Sequence, residues 1–143
     1  MAQYPKRAHH RYPMKKILLA AILSVTAGIG LAQAQTFPKE FLGEWIAHND
    51  DEPVTCAPGA MDRMESDTIM KIEPRSTTQW ESSCRLQAFK MQNTAGSVRL
   101  LCHGEGERWQ LNQLWSVRKI GEKPVLLIAT PKDGFISVFQ KCQ

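Results

Sequence analysis

The chain lacks the motifs by which many enzymes are recognised. Neither the G-x-S-x-G pattern of serine hydrolases nor the H-E-x-x-H pattern of zinc proteases occurs in its 143 residues. The acidic pair Glu105 and Glu107 lies in a predicted exposed turn, where no apolar surroundings would tune either carboxyl group for acid–base catalysis. We therefore expect a protein that is not an enzyme and assign no catalytic residues.

Metal and redox motifs are also missing. Without a C-x-x-C pair, thioredoxin-type chemistry is not expected. The calcium-loop pattern is absent, and His48 followed by the acidic residues 50–52 does not have the ordered spacing of a structural zinc site. We expect these acidic side chains to be solvated, and neither a metal nor a cofactor to bind.

Long basic and apolar runs are scarce. After residue 34 no basic run is longer than Arg118-Lys119, so nucleic acid is not an expected partner. The one long apolar run, Ile17 to Leu31, has 15 residues, fewer than the roughly 20 that span a bilayer. It follows Lys15-Lys16 and precedes Ala32-Gln33-Ala34, which is the order of a cleavable signal peptide.

The predicted signal peptide covers residues 1–34, and Met14 is an alternative start that leaves the same mature chain. Five of the 18 basic residues precede the predicted cleavage site and all 14 acidic residues follow it, so cleavage changes the net charge from +4 to about −1. Residues 35–143 have the length of one domain. We expect this domain to be periplasmic or secreted, without a membrane contact after cleavage.

All four cysteines lie in the mature chain, and an even number in a small exported domain predicts two disulfides. Four cysteines allow three pairings. Cys84 and Cys102 flank a predicted turn at Asn93–Gly96 almost symmetrically, so two strands joined by that turn would bring them opposite each other. This favours Cys84–Cys102 and leaves Cys56 for Cys142.

Short apolar stretches separated by turn residues predict an all-β domain. A helical turn or irregular lead-in at Phe37–Leu42 precedes a strand at 43–48 and a long loop at 49–67. Strands then follow at 68–72, 77–84 with a continuation towards Met91, 97–103, 109–117, 125–129 and 135–142. We expect an antiparallel meander of seven or eight strands that closes into a barrel or folds into a sandwich.

Alternation along these strands predicts which side chains form the core. The expected core residues are Trp45, Trp80, Trp109, Leu111, Val117, Leu127 and Phe135. Trp80 and Cys84 are expected on one face of a single strand. Trp109, Leu111, Trp115 and Val117 are expected on one face of another, with Gln113 as the polar exception.

Two short patterns resemble known groups of proteins. Gly43-Glu44-Trp45 is similar to the start of calycin barrels such as lipocalins and avidins, in which glycine bends the chain and tryptophan fills the closed end. Ser83-Cys84 followed by Cys102-His103-Gly104-Glu105-Gly106-Glu107-Arg108-Trp109 resembles small exported bacterial proteins of uncharacterised function, over about residues 41–117. The second resemblance implies a β-barrel and no known activity.

For function, the sequence favours a non-catalytic module that binds a periplasmic or extracellular protein, for instance as an inhibitor. The loops at 49–65 and 104–107 are candidate contact regions, with Glu105, Glu107 and His103 as candidate partner-contact residues. The alternative is a calycin-like carrier of a small apolar ligand held among the tryptophans. Against a carrier, bulky inward side chains fill a narrow barrel.

Overall fold

The computed structural model describes residues 35–48 and 55–143. The predicted signal peptide and residues 49–54 of the predicted loop lie outside the described residues. Eight strands follow a single 3-10 turn at Lys39–Phe41. They are β1 (Gly43–Ala47), β2 (Ile69–Glu73), β3 (Ser76–Gln79), β4 (Ser82–Gln92), β5 (Ala95–Gly104), β6 (Glu107–Ile120), β7 (Lys123–Thr130) and β8 (Phe135–Lys141).

Each strand pairs antiparallel with the next, and β8 returns to pair with β1. The eight strands therefore form a closed barrel, which confirms the all-β prediction and selects the barrel over the sandwich. Closure removes the unpaired edges on which other chains could add strands. Among residues 35–48 and 55–143 there is no helix long and apolar enough to cross a membrane.

The chain before β1 fills one end of the barrel, which we call the closed end. The Phe37 ring stacks on Trp115 with 5.1 Å between ring centroids, and the Phe41 ring meets the edge of Phe89 at 5.6 Å. Trp45 is fully buried, and its indole Nε1 donates a hydrogen bond of 2.8 Å to the Phe41 carbonyl. These aromatic side chains supply much of the apolar area that stabilises a small barrel.

The segment 55–66 packs on the outer face of β1 and β2, and we call it the clamp. Ala60 in the clamp packs against Ile46 and Ile69 in a small second core. The buried Glu44 carboxylate holds the same segment, because its Oε2 accepts hydrogen bonds from the backbone N–H groups of Gly59 (2.7 Å) and Ala60 (3.0 Å). Apolar packing and two hydrogen bonds therefore hold the clamp against the outside of the barrel.

Both predicted disulfides are present. Cys84 and Cys102 are direct cross-strand partners on β4 and β5, and Cys56 in the clamp bonds Cys142 after β8. No described cysteine is free. Two disulfides in so small a domain indicate an oxidising, exported environment.

The structure corrects one predicted strand. Residues 77–84 do not form a single strand, because a turn at Trp80-Glu81 separates β3 from β4. Glu81 has a positive φ of 59°, which is uncommon for a residue other than glycine. Trp80 therefore lies at the tip of a hairpin and does not share a strand face with Cys84.

The predicted core is correct for Trp45, while Leu111 and Val117 are partly buried against the main core. It is wrong for four residues. Leu127 lies outside the core cluster, on the strand face opposite the buried Leu126 and Ile128. The other three are exposed: Trp80, Trp109 and Phe135.

Candidate functional site

Three short turns lie at the end of the barrel opposite the closed end, and we call this the open end. They are the turns at 80–81, 105–106 and 131–134, which connect β3 to β4, β5 to β6 and β7 to β8. The β5–β6 hairpin extends beyond the strand that follows it, because β7 pairs only with residues from Leu114 to Ile120 of β6. Among the residues that the structure describes, the first half of β6 therefore pairs with β5 alone.

A groove of about 420 Å³ lies between the first two of these turns. We call it the tryptophan–glutamate groove. Its walls combine two indole rings with three carboxylates, and its lining residues are Trp80, Glu81, Ser82, Gly104, Glu105, Glu107 and Trp109. Four of these seven come from the Gly-Glu-Gly-Glu-x-Trp segment, so this segment forms one side of a concave surface.

Strand alternation explains why the four strand residues among them share one face. Ser82, Gly104 and Glu107 are lateral neighbours on β4, β5 and β6, and Trp109 follows Glu107 by two residues. The same face continues downward to the Cys84–Cys102 disulfide inside the barrel, since Trp109 is opposite Cys102. The groove is therefore the outward continuation of the barrel interior.

Gly104 forms the floor of the groove because only a residue without a side chain fits there. A β-carbon on Gly104 would lie 2.5 Å from the Glu81 carbonyl oxygen and 3.2 Å from the Ser82 β-carbon. The Trp80-Glu81 turn thus packs directly on the end of β5. In the adjoining turn Glu105 and Gly106 have positive φ values of 49° and 83°. Glycine adopts such a φ without strain, whereas it is uncommon for a glutamate.

His103 lies on the opposite strand face from Glu107 and Trp109. It pairs across the sheet with Ser83 on one side and Arg108 on the other, and its Nε2 is hydrogen-bonded to Ser83 Oγ at 2.9 Å. Its two direct cross-strand neighbours are thus a serine and an arginine. The structure therefore brings Glu105 and Glu107 together in the groove and places His103 outside it.

A second hollow of about 220 Å³ lies inside the barrel below the open end. Gln113, the polar exception on its strand face, lines this cavity. Its amide Oε1 accepts a hydrogen bond of 3.0 Å from the Trp115 indole, and its Nε2 donates one of 3.2 Å to Thr130 Oγ1. The remaining polar lining residues are Thr77, Gln79 and Ser137. The cavity wall is therefore mixed in polarity.

Apolar side chains are concentrated around the open end. Phe135 and Ile136 begin β8 directly after the third turn and are 74% and 67% exposed, while Trp80 and Trp109 are 48% and 37% exposed. Large apolar side chains exposed at one end of a fold mark a candidate contact region. Sequence reasoning missed this rim because it assigned three of the four residues to the core.

Two basic side chains in or beside the clamp have raised pKa values. A hydrogen bond to Glu65 raises the pKa of the Arg63 guanidinium, and a hydrogen bond to Asp62 raises the pKa of the Lys71 ammonium. Both pairs lie on the outer face of the barrel and take no part in the groove. Within the part of the chain that the structure describes, no three His, Cys, Asp or Glu side chains are placed to hold a metal ion.

Comparisons with protein-family models, with curated proteins and with solved structures found no match to this chain. The functional interpretation therefore depends on the geometry of the open end.

Proposed function

We propose that this protein is an exported, non-catalytic binding module that attaches to a partner protein through the open end of its barrel, in the manner of an inhibitor. The observation that carries the proposal is the exposure of two tryptophans, a phenylalanine and an isoleucine around one end of the fold. Tryptophan and other aromatic residues are enriched in interfaces and contribute a large share of binding energy there.

The scaffold under these side chains favours binding without large rearrangement. Trp80 and Phe135 are located in or beside short turns, and the strands on either side belong to a closed, disulfide-linked barrel. Side chains that are already held in place lose less conformational entropy on association than those on long free loops. A small barrel with such a rim suits a periplasmic or secreted protein that recognises another protein.

The interior cavity supports a second candidate, a carrier of a small ligand. Apolar groups such as Met70, Leu100 and Leu111 line it together with several polar side chains. At about 220 Å³ it is smaller than the roughly 300–1,000 Å³ of typical small-molecule sites. Native mass spectrometry of protein purified from its own exported fraction tests this candidate, because a bound small molecule adds a defined mass.

The binding-module proposal is tested by capture with a matched pair of variants. Ile136→Ser changes the open end, and Ile120→Ser changes a side chain of nearly equal exposure at the β6–β7 turn, on the other end of the barrel (67% and 68%). We expect a stoichiometric partner from the exported fraction to be captured by the wild type and Ile120→Ser, and to be lost with Ile136→Ser and Phe135→Ser. Equal capture by all four proteins, or no stoichiometric partner at all, would contradict the proposal.

A further inference from the structure

The tryptophan–glutamate groove presents negative charge beside aromatic surface. Trp80 and Trp109 are both partly exposed, so their rings are accessible to a bound group. The core indoles, in contrast, are hydrogen-bonded and buried: Trp45 donates to the Phe41 carbonyl and Trp115 to Gln113. The groove therefore holds the two described tryptophans that are only partly buried.

The three groove carboxylates have no basic residue among the side chains that line the groove with them. Glu81, Glu105 and Glu107 are all exposed, and the seven lining residues include no lysine, arginine or histidine. The nearest basic residue in the sequence, Arg108, lies on the opposite face of β6 beside His103. The combined field of three like charges in a concave site attracts a cation.

We infer that the groove takes an arginine side chain of the partner protein, an inference that rests on the proposed function and names the chemistry of its partner. A guanidinium group is planar and weakly hydrated, so it stacks on an indole ring while its N–H groups pair with carboxylates. Lysine offers a compact, strongly hydrated charge that uses the ring face less well. The two indole rings of the groove suit the stacking of a guanidinium group, and its three carboxylates suit the pairing with N–H groups.

The inference is tested by titrating the disulfide-bonded protein with a blocked Gly-Arg-Gly tripeptide and following its four indole N–H signals by NMR. The probes for comparison are the same tripeptide with citrulline, which keeps the shape and removes the charge, and with lysine. We expect the Trp80 and Trp109 signals, assigned from Trp80→Phe and Trp109→Phe, to shift saturably with the arginine peptide. The Trp45 and Trp115 signals should stay in place and so report that the barrel is intact.

Charge variants sharpen the test. Glu105→Gln and Glu107→Gln should each weaken binding of the arginine peptide by about two- to fivefold, the usual range for an exposed ion pair. Glu122→Gln removes the same charge at an exposed turn on the other end of the barrel, and it should leave binding unchanged. Raising the salt concentration should weaken binding to the wild type more than binding to a variant that carries both Glu105→Gln and Glu107→Gln.

Four outcomes would overturn the inference: no binding of the arginine peptide, equal shifts with the citrulline peptide, equal binding of the lysine peptide, or no effect of the two glutamate substitutions. Its failure is distinguishable from failure of the proposed function. If capture of the partner needs Phe135 and Ile136 but the arginine peptide does not bind, the open-end proposal stands and the assignment of the groove is wrong. If the arginine peptide binds and no partner is captured, the binding-module proposal fails instead.

Discussion

Replacement of Glu44 tests how the clamp is held to the barrel. In Glu44→Ala both N–H donors, Gly59 and Ala60, lose the carboxylate oxygen that they share, and Ala60 is fully buried. Hydrogen bonds to a charged group contribute about 1.5–3 kcal/mol, and a buried donor left without a partner costs about 1–3 kcal/mol. We expect Glu44→Ala to lower the free energy of unfolding by about 3 kcal/mol.

Glu44→Gln separates the charge from the hydrogen bonds. Both donors reach one oxygen, so the amide oxygen of glutamine can accept both bonds in the same position. Neutral hydrogen bonds are roughly half as strong as charge-assisted ones, which predicts a smaller loss of about 1 kcal/mol. Glu122→Ala, on an exposed turn, should change stability by no more than about 0.5 kcal/mol.

Two assays measure these effects. Urea unfolding followed by tryptophan fluorescence gives the global loss, and trypsin cleavage after the exposed Arg63 reports local release of the clamp. Because Cys56 remains bonded to Cys142, the two fragments of Glu44→Ala should separate only after reduction. If Glu44→Ala resisted trypsin as well as the wild type does, or lost no more stability than Glu44→Gln, the clamp would not depend on these two hydrogen bonds.

Two further predictions concern the disulfides and the groove. In the chain-entropy model the sequence separations of 86 and 18 predict that losing Cys56–Cys142 costs about 4.6 kcal/mol and losing Cys84–Cys102 about 3.2 kcal/mol. Denaturant unfolding of the double variants C56S/C142S and C84A/C102A measures both, and an equal or reversed order would contradict the loop-length explanation. Gly104→Ala should displace the β3–β4 turn and move its tryptophan indole signal with little change in the core signals; an unchanged spectrum would show that the contact with that turn is not tight.

The barrel and its disulfides could be predicted because their signals are local. The turn at residues 93–94 has strand-forming residues on both sides, which indicated that Cys84 and Cys102 lie close together on paired strands. A register shift between Leu86 and Ala88, which the sequence did not predict, makes them direct partners. With four cysteines, one correct pair determines the other. Spacing of short apolar stretches indicated the number of strands, and closure followed from the need to protect strand edges in a small domain.

The residues wrongly predicted to lie in the core show which structural information the alternation of apolar residues lacks. Alternation correctly placed Trp109 and Leu111 on one face of β6, but it does not state how far along the barrel axis each residue lies. Trp109 is exposed because β7 covers only the second half of its strand. The residues around Leu127 are apolar on both faces of the strand. The sequence therefore does not indicate which of the two faces points into the barrel.

The sequence did not predict the groove, because it did not predict the turn at Trp80-Glu81. Trp80-Glu81 contains none of the glycine, proline or asparagine residues that usually mark a turn, and Glu81 adopts its positive φ without such a signal. This turn explains why residue 104 is a glycine, because a side chain there would collide with the Glu81 carbonyl. The glycines in the segment after Cys102 thus serve two purposes: Gly104 lets one turn rest on another, and Gly106 reverses the chain. Alternation then directs Glu107 and Trp109 into the space that these two turns enclose, so the residues needed to form the hairpin also form the wall of the proposed binding site.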